Sequence, residues 1–279
     1  MNKPRITIVS YSWPPRNSIS THRPYAWARY WSKKGAKITV LTSKKQMFDE
    51  PLDMKLPELK DVNVIEVPYG SYLSPIINIF LKFSIIEKIG KWVRANPTKY
   101  IGSNYDPRDA WSLAVTAIST KIARKTDILI STYGPEAAHV IASKMKIINP
   151  SIFWIADYRD LWSENPRLNN ASKKFKKNIK NKEIETLKGN ADLITSITKV
   201  MAKRLSKMHK IPAITVTNGF DIDEKIVKKN FYQKKSNNKK TLKIVFTGTI
   251  YPSASSPEIL LDAILNLINK KKIPQKSII

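Results

Sequence analysis

The chain has no cysteine and only three scattered histidines, His22, His139 and His209. The first absence excludes a disulfide framework and thiolate metal sites. The second leaves too few imidazoles for a histidine-rich metal site. Acids are scarce as well: 22 Asp and Glu face 49 Lys and Arg, for a formal charge of +27. No apolar run reaches membrane-spanning length, because Lys82 interrupts the best candidate. No apolar signal region precedes the strand-like sequence at Ile6. An apolar content of 42% over 279 residues argues against disorder and suffices for one large domain or two ordinary ones.

The basic surplus predicts attraction to a polyanion without naming one. It is uneven: between Arg167 and Ile211 there are thirteen Lys or Arg against three acids. An anionic cytoplasmic membrane leaflet is one candidate partner, and a merely solvated surface is the alternative. No specific nucleic-acid partner is expected, since the basic residues are not interleaved with aromatics and no recognition motif occurs.

Apolar runs alternate with helical patterns along the chain. Strands are expected at Ile6–Ser10, Ile38–Thr42, Val62–Val67, Ile128–Ser131, Ile152–Ala156, Leu193–Ser196 and Ala213–Thr217, and again at Leu242–Phe246. Helices are expected after the first loop, with Ser20 or Thr21 as cap, Pro24 in the first turn and Gly35 as stop. Others fall at Ser74–Asn96, 110–124, 136–146, Lys173–Lys188, Val200–Lys207 and Glu258–Asn269. Such alternation predicts an α/β fold, a Rossmann-like parallel sheet flanked by helices, followed by the start of a second such domain. The Lys- and Asn-rich stretch 224–241 reads as a linker or solvated surface, so the domains are placed at 1–220 and 221–279.

The run Ile152–Ala156 ends in Asp157-Tyr158-Arg159-Asp160. In open α/β sheets ligands bind beyond the carboxyl ends of strands, so these residues stand where chemistry is expected. Thr132, Tyr133 and Gly134 lie past another strand end, and Gly134 would permit close backbone approach. Arg16 and Arg23 flank the loop after the first strand and could face an anion. The competing structural readings are an Arg159–Asp160 ion pair that pins the loop, a solvated Arg16, and a packed helix-face His139.

Four segments, taken in order, resemble family 4 glycosyltransferases of the two-Rossmann-domain (GT-B) type, especially bacterial envelope-polysaccharide enzymes. They are Ile8-Val9-Ser10-Tyr11-Ser12-Trp13-Pro14-Pro15 with Arg23; Asp127 to Pro135 with His139; Asp157 to Trp162; and Thr217-Asn218-Gly219-Phe220-Asp221 followed by Phe246-Thr247-Gly248-Thr249-Ile250-Tyr251. The resemblance implies transfer of a hexosyl or N-acetylhexosaminyl group from a nucleotide sugar to a glycan or lipid-linked acceptor. It further implies retention of anomeric configuration, no metal and no cofactor beyond the donor.

On that reading Asp157 and then Asp160 are the candidate polar groups near the acceptor hydroxyl, with Arg159 orienting them. Arg16, Arg23, Thr132, Tyr133 and Gly134 line the acceptor side, and Asn218, Gly219, Thr247, Gly248 and Thr249 form a donor-side or hinge set. Where the family has glycines in the first loop, this chain has Arg16-Asn17-Ser18-Ile19-Ser20. The family's paired glutamates, eight residues apart, do not occur before Ile279, so the expectation is a truncated donor domain and no transfer by residues 1–279 alone. The protein is expected in the cytoplasm, peripheral on the inner face of the membrane. The alternative is a non-catalytic, basic, membrane-associated protein on the same scaffold.

Overall fold

Parallel strands form the spine of the first unit. The computed structural model describes residues 3–46, 49–68, 111–112, 115–165, 168–169, 171–219, 244–247 and 256–274. Among them one seven-stranded sheet contains β1 (Arg5–Val9), β2 (Lys37–Ser43), β3 (Val62–Val67), β4 (Ile128–Thr132), β5 (Phe153–Tyr158), β6 (Leu193–Ser196) and β7 (Ala213–Thr215). Every pairing is parallel, and the order is β3-β2-β1-β4-β5-β6-β7. The helices are α1 (Ile19–Lys33), α2 (Thr116–Ala123), α3 (Ala137–Ile148), α4 (Lys173–Leu187), α5 (Lys199–His209) and α6 (Glu258–Asn269).

Both sheet faces are covered, as the strand sequences demand. Ile6, Ile8, Ile38, Val40 and Ile130 pack with Tyr25 and Ala28 of α1. On the opposite face Val9, Leu129, Trp154, Ala156 and Ile194 pack with Ile141 of α3, Leu187 of α4 and Leu205 of α5. Adjacent residues such as Ile8 and Val9 enter different cores because side chains alternate along a strand.

The strand order reverses between β1 and β4. From β1 the chain winds outward through β2 and β3, and from β4 it winds the other way through β5, β6 and β7. That topological switch point opens a crevice beyond the carboxyl ends of β1 and β4, the general ligand position in such sheets.

Several local expectations change. Helix α1 begins two or three residues earlier than expected, because Ser18 rather than Ser20 or Thr21 is the cap and its hydroxyl accepts from the Ser20 amide. Pro24 therefore lies in the second turn, where its missing N–H leaves one helical hydrogen bond unmade. Strand β5 runs through Asp157 and Tyr158 rather than stopping at Ala156. Residues 244–247 are exposed and form no strand, since no described strand pairs with them. The helix expected at Ser74–Asn96 lies outside the described residues.

The chain divides into two units, Met1–Gly219 and Phe220–Ile279. In the second, α6 has no buried residue, and Ile259, Leu260, Leu261 and Leu265 are exposed.

Candidate functional site

The register sets the site. Thr132, Asp157 and Thr195 are partners across β4, β5 and β6, so their side chains stand in one row on one face. Asp157 is fully buried. Thr132 donates to its Oδ2 at 3.0 Å and Thr195 to its Oδ1 at 2.7 Å. Arg23, arriving from α1, donates Nε to Oδ2 at 3.2 Å and Nη2 to Oδ1 at 2.8 Å. A carboxylate offers about four acceptor positions, so Asp157 is filled. Asp157, expected to face the acceptor hydroxyl, is the buried centre of a network that fills its acceptor positions.

Arg23 is equally filled. Its remaining donors go to the carbonyls of Thr217 (3.0 Å) and Val216 (2.9 Å) and to Oδ1 of Asn218 (3.3 Å). A guanidinium has five N–H groups, and all five are engaged. Its face lies 4.6 Å from the Trp27 ring centroid. Arg23 thus ties the segment after β7 to the end of β5. The exposed Asn218 takes part in that tie, and the exposed Gly219 has open space at its Cα.

Arg159 behaves differently. Nη2 donates to the Tyr133 carbonyl at 2.5 Å, and Nε is buried without a partner among the described residues. Burial lowers its pKa from the ordinary arginine value, Asp157 and Asp160 oppose that, and Arg23 and Arg16 add to it. The competing reading, an Arg159–Asp160 ion pair, does not form among the described residues; Asp160 is exposed beyond the strand end. Gly134 lies directly under Arg159. Its φ is +106°, and a Cβ there would come within 2.8 Å of Nη2. The close approach at Gly134 is thus made by the arginine.

Arg16 is half-buried in the first loop, with Nη1 3.3 Å from Ser12 Oγ and its Cζ 5.3 Å from the Tyr11 ring centroid. Across the same ring sits Lys45, whose Nζ donates to the Tyr11 and Ser43 carbonyls. Burial lowers Lys45 to about 8, against the opposing pull of Asp49 and Glu66.

Behind the strand ends lies a buried polar cluster. His139 Nδ1 bonds Ser131 Oγ at 2.7 Å, and Trp154 Nε1 donates to the same hydroxyl at 2.8 Å. Burial lowers His139 to about 3. Tyr133 stacks on Tyr158 and Trp162 beside it. Glu183 of α4 accepts from Tyr158 Oη at 3.0 Å and from the Ser163 amide at 2.9 Å, and it lies 3.3 Å from His209 Nε2. Burial raises the Glu183 carboxyl, but the hydrogen bonds from His209 and Ser163 hold it below its ordinary value. His139 is the packed helix-face residue its position suggested.

Sequence reasoning missed Thr195, Glu183 and Lys45. Glu183 carried a readable signal, as one of three acids in a strongly basic segment.

Of the donor-side set, Thr247 is exposed, while Gly248 and Thr249 lie outside the described residues. Among the described residues no cluster of His, Asp and Glu could hold a metal ion, and no helix is long and apolar enough to cross a membrane. Helix α4 packs against α5, and Lys173, Lys174, Lys177, Lys180, Lys199, Lys203 and Lys207 are exposed on the pair.

No protein-family profile matches the sequence, and no curated protein matches it. Solved structures do. The chain is similar to Anabaena Alr3699/HepE, solved in complex with UDP and glucose, at 10% identity and a TM-score of 0.51, covering 94% of this chain and 58% of that one. It is also similar to OtsA in its apo form, at 16% identity and a TM-score of 0.51, covering 98% of this chain and 64% of that one. The chain thus spans less than two thirds of either protein. At such identities the likeness establishes the fold: α/β, Rossmann-like, of GT-B type.

Proposed function

We propose that the protein is a glycosyltransferase that takes a sugar from a nucleotide donor, and that its first unit binds the acceptor. The observation that carries this reading is the set of polar residues at the strand ends beside the β1/β4 switch point: Arg16 after β1, Tyr133 and Gly134 after β4, and Arg159 and Asp160 after β5. HepE was solved with UDP and glucose, which supports a nucleotide-sugar donor. The order of the sequence segments supports the finer reading: family 4, a hexosyl or N-acetylhexosaminyl donor, retention of configuration, and an envelope-glycan or lipid-linked acceptor.

In the transfer, an acceptor hydroxyl oxygen bonds to the anomeric carbon as the bond from that carbon to the diphosphate oxygen breaks. The diphosphate leaves with the electron pair, and the hydroxyl proton must find a base. Asp157 cannot serve, because its lone pairs are occupied. We assign it the positioning role, fixing β4, β5, β6 and Arg23 around the crevice, and assign Asp160 to the acceptor hydroxyl. The residues given to the donor side, Asn218, Gly219, Thr247, Gly248 and Thr249, remain part of the proposal.

The test is release of nucleoside diphosphate from a panel of nucleotide sugars with glycan and lipid-linked acceptors. Acceptor-dependent turnover would overturn the expectation of no transfer by residues 1–279, and it should fall 100-fold or more in Asp160→Asn, with unchanged thermal stability. Turnover indifferent to Asp160→Asn would refute its role.

A second reading, attachment to an anionic membrane surface, is favoured by the exposed lysines of α4 and α5. It is compatible with the first, since a lipid-linked acceptor would lie at that surface.

A further inference from the structure

The geometry points to a phosphoryl-binding site at the carboxyl ends of β1, β4 and β5, in which Arg159 and Arg16 hold a phosphate or diphosphate carried by the acceptor. The assignment to the acceptor rests on the glycosyltransferase reading above; the anion site itself rests on the arginines.

Three guanidinium groups, from Arg16, Arg23 and Arg159, stand at the carboxyl ends of neighbouring strands; the buried Asp157 is bonded by Arg23, and the buried Asp49 by the Tyr11 hydroxyl. Counting donors and acceptors separates their roles. Asp157 takes four hydrogen bonds, none from Arg159 or Arg16. Arg23 returns five, so it and Asp157 neutralise each other and are saturated.

Arg159 and Arg16 are left under-paired. Arg159 bonds only a neutral carbonyl, that of Tyr133, and its Nε is buried without a partner among the described residues. Among the described residues the Arg16 side chain bonds only the Ser12 hydroxyl, at 3.3 Å. The two guanidinium groups stand at the ends of β1 and β5, the strands that flank β4, and, among the described residues, neither is bonded to a carboxylate, so both keep donors for an anion. A planar fork of donors matches phosphate oxygens two at a time, where a lysine supplies a point charge.

The backbone is shaped for this arrangement. Gly134 has φ +106°, and a Cβ there would reach to 2.8 Å from Arg159 Nη2. Glycine therefore lets the guanidinium lie close against the turn that leaves β4, at the switch point where ligands of such sheets bind. Asp160 is exposed and makes no ion pair with Arg159 among the described residues, which leaves its carboxylate open for the role assigned above.

Isothermal titration of residues 1–279 at fixed ionic strength tests the site. The probes are glucose 6-phosphate, farnesyl phosphate, UDP, inorganic phosphate and unphosphorylated glucose. Glucose 6-phosphate or farnesyl phosphate is expected to bind, and inorganic phosphate to compete. Arg159→Gln and Arg16→Gln should each weaken binding tenfold or more, while Lys177→Gln leaves it unchanged. Arg16 is half-exposed on a loop, so its variant carries the test even if Arg159→Gln unfolds. The two phosphorylated probes tell a sugar phosphate from a lipid phosphate.

Binding indifferent to both arginines, equal loss in Lys177→Gln, or no binding of either phosphorylated acceptor probe would each overturn the site. Arginine-dependent binding of UDP alone would assign the phosphoryl group to the donor and overturn the acceptor assignment. A chain that fails these titrations yet turns over nucleotide sugars loses the phosphate site and keeps its glycosyltransferase reading. A chain that binds phosphate through Arg159 keeps the anion site even where the glycosyltransferase reading fails.

Discussion

Asp157 shows how a residue's place and its role can part. Its position after an apolar run marked it as chemical, and at the strand end it is the centre of a buried hydrogen-bond network. Its partner Arg23, however, lies 134 positions away, and nothing local announces the pair. The ion pair is buried on both sides, at 7% and 0% side-chain exposure. Removing one partner of such a pair leaves an uncompensated charge. Asp157→Asn should therefore lower stability by about 3–5 kcal/mol, against about 1 kcal/mol for Thr195→Val, measured by chemical denaturation. A loss for Asp157→Asn no larger than that for Thr195→Val would remove the positioning role.

His139 yields a second prediction at this scale. Burial holds it neutral down to about pH 3, whereas in the unfolded chain it takes a proton near 6.5. Between those values the unfolded state binds more protons, so stability is fully present above pH 6.5 and falls as the pH is lowered. The slope is about 1.4 kcal/mol per pH unit for one such group. Glu183, whose pKa is held below its ordinary 4.5, adds its own loss only at lower pH. Unfolding free energies measured from pH 6.5 to 5 should fall accordingly, and His139→Gln should flatten that slope; an unchanged slope would mean that other groups carry it.

Among elements, the strands were the most legible feature. Fully buried parallel strands read as apolar runs, and Leu193–Ser196 coincides with its expectation to the residue. Helix starts were less so. Ser18, Ser20 and Thr21 are all competent caps, and Pro24 suggested the later start, but hydrogen bonding selects Ser18. Register across strands was not readable at all, which is why Thr195 went unnoticed beside Asp157.

The β4–α3 turn carries the prediction for this scale. Gly134→Ala must place a Cβ at positive φ and against Arg159. A residue held in such a backbone region costs of order 1–3 kcal/mol, and the guanidinium must move. Thermal melting should show that loss, with a matching weakening of anything bound through Arg159. A variant as stable as the parent would mean that the turn relaxes freely.

For the whole molecule, the excess of 49 basic over 22 acidic residues was the plainest fact of the sequence, and the structure gives part of it an address on α4 and α5. If that face meets an anionic bilayer, co-sedimentation with phosphatidylserine vesicles should be strong at low salt. It should fall steeply by 0.5 M salt as the Debye length shrinks, and weaken in Lys173→Gln/Lys177→Gln/Lys180→Gln. Equal binding to neutral vesicles would contradict attachment by charge. The parallel sheet and its order of elements were legible because alternating apolar runs and helical patterns allow few α/β alternatives. The division of labour among the arginines was not, because it depends on which long-range partners fill each donor.

The central claim is that the strand-end crevice of the first unit receives the acceptor of a sugar transfer. Hydrogen exchange of the chain with and without acceptor glycans, sugar phosphates and nucleotide sugars tests it most directly. Slowed exchange is predicted in the Ser10–Ser18 loop, at the Tyr133–Ala137 turn and around Arg159–Leu161, and it should vanish in Arg159→Gln. Protection confined to α4 and α5, or absent from all three segments with every ligand, would contradict it.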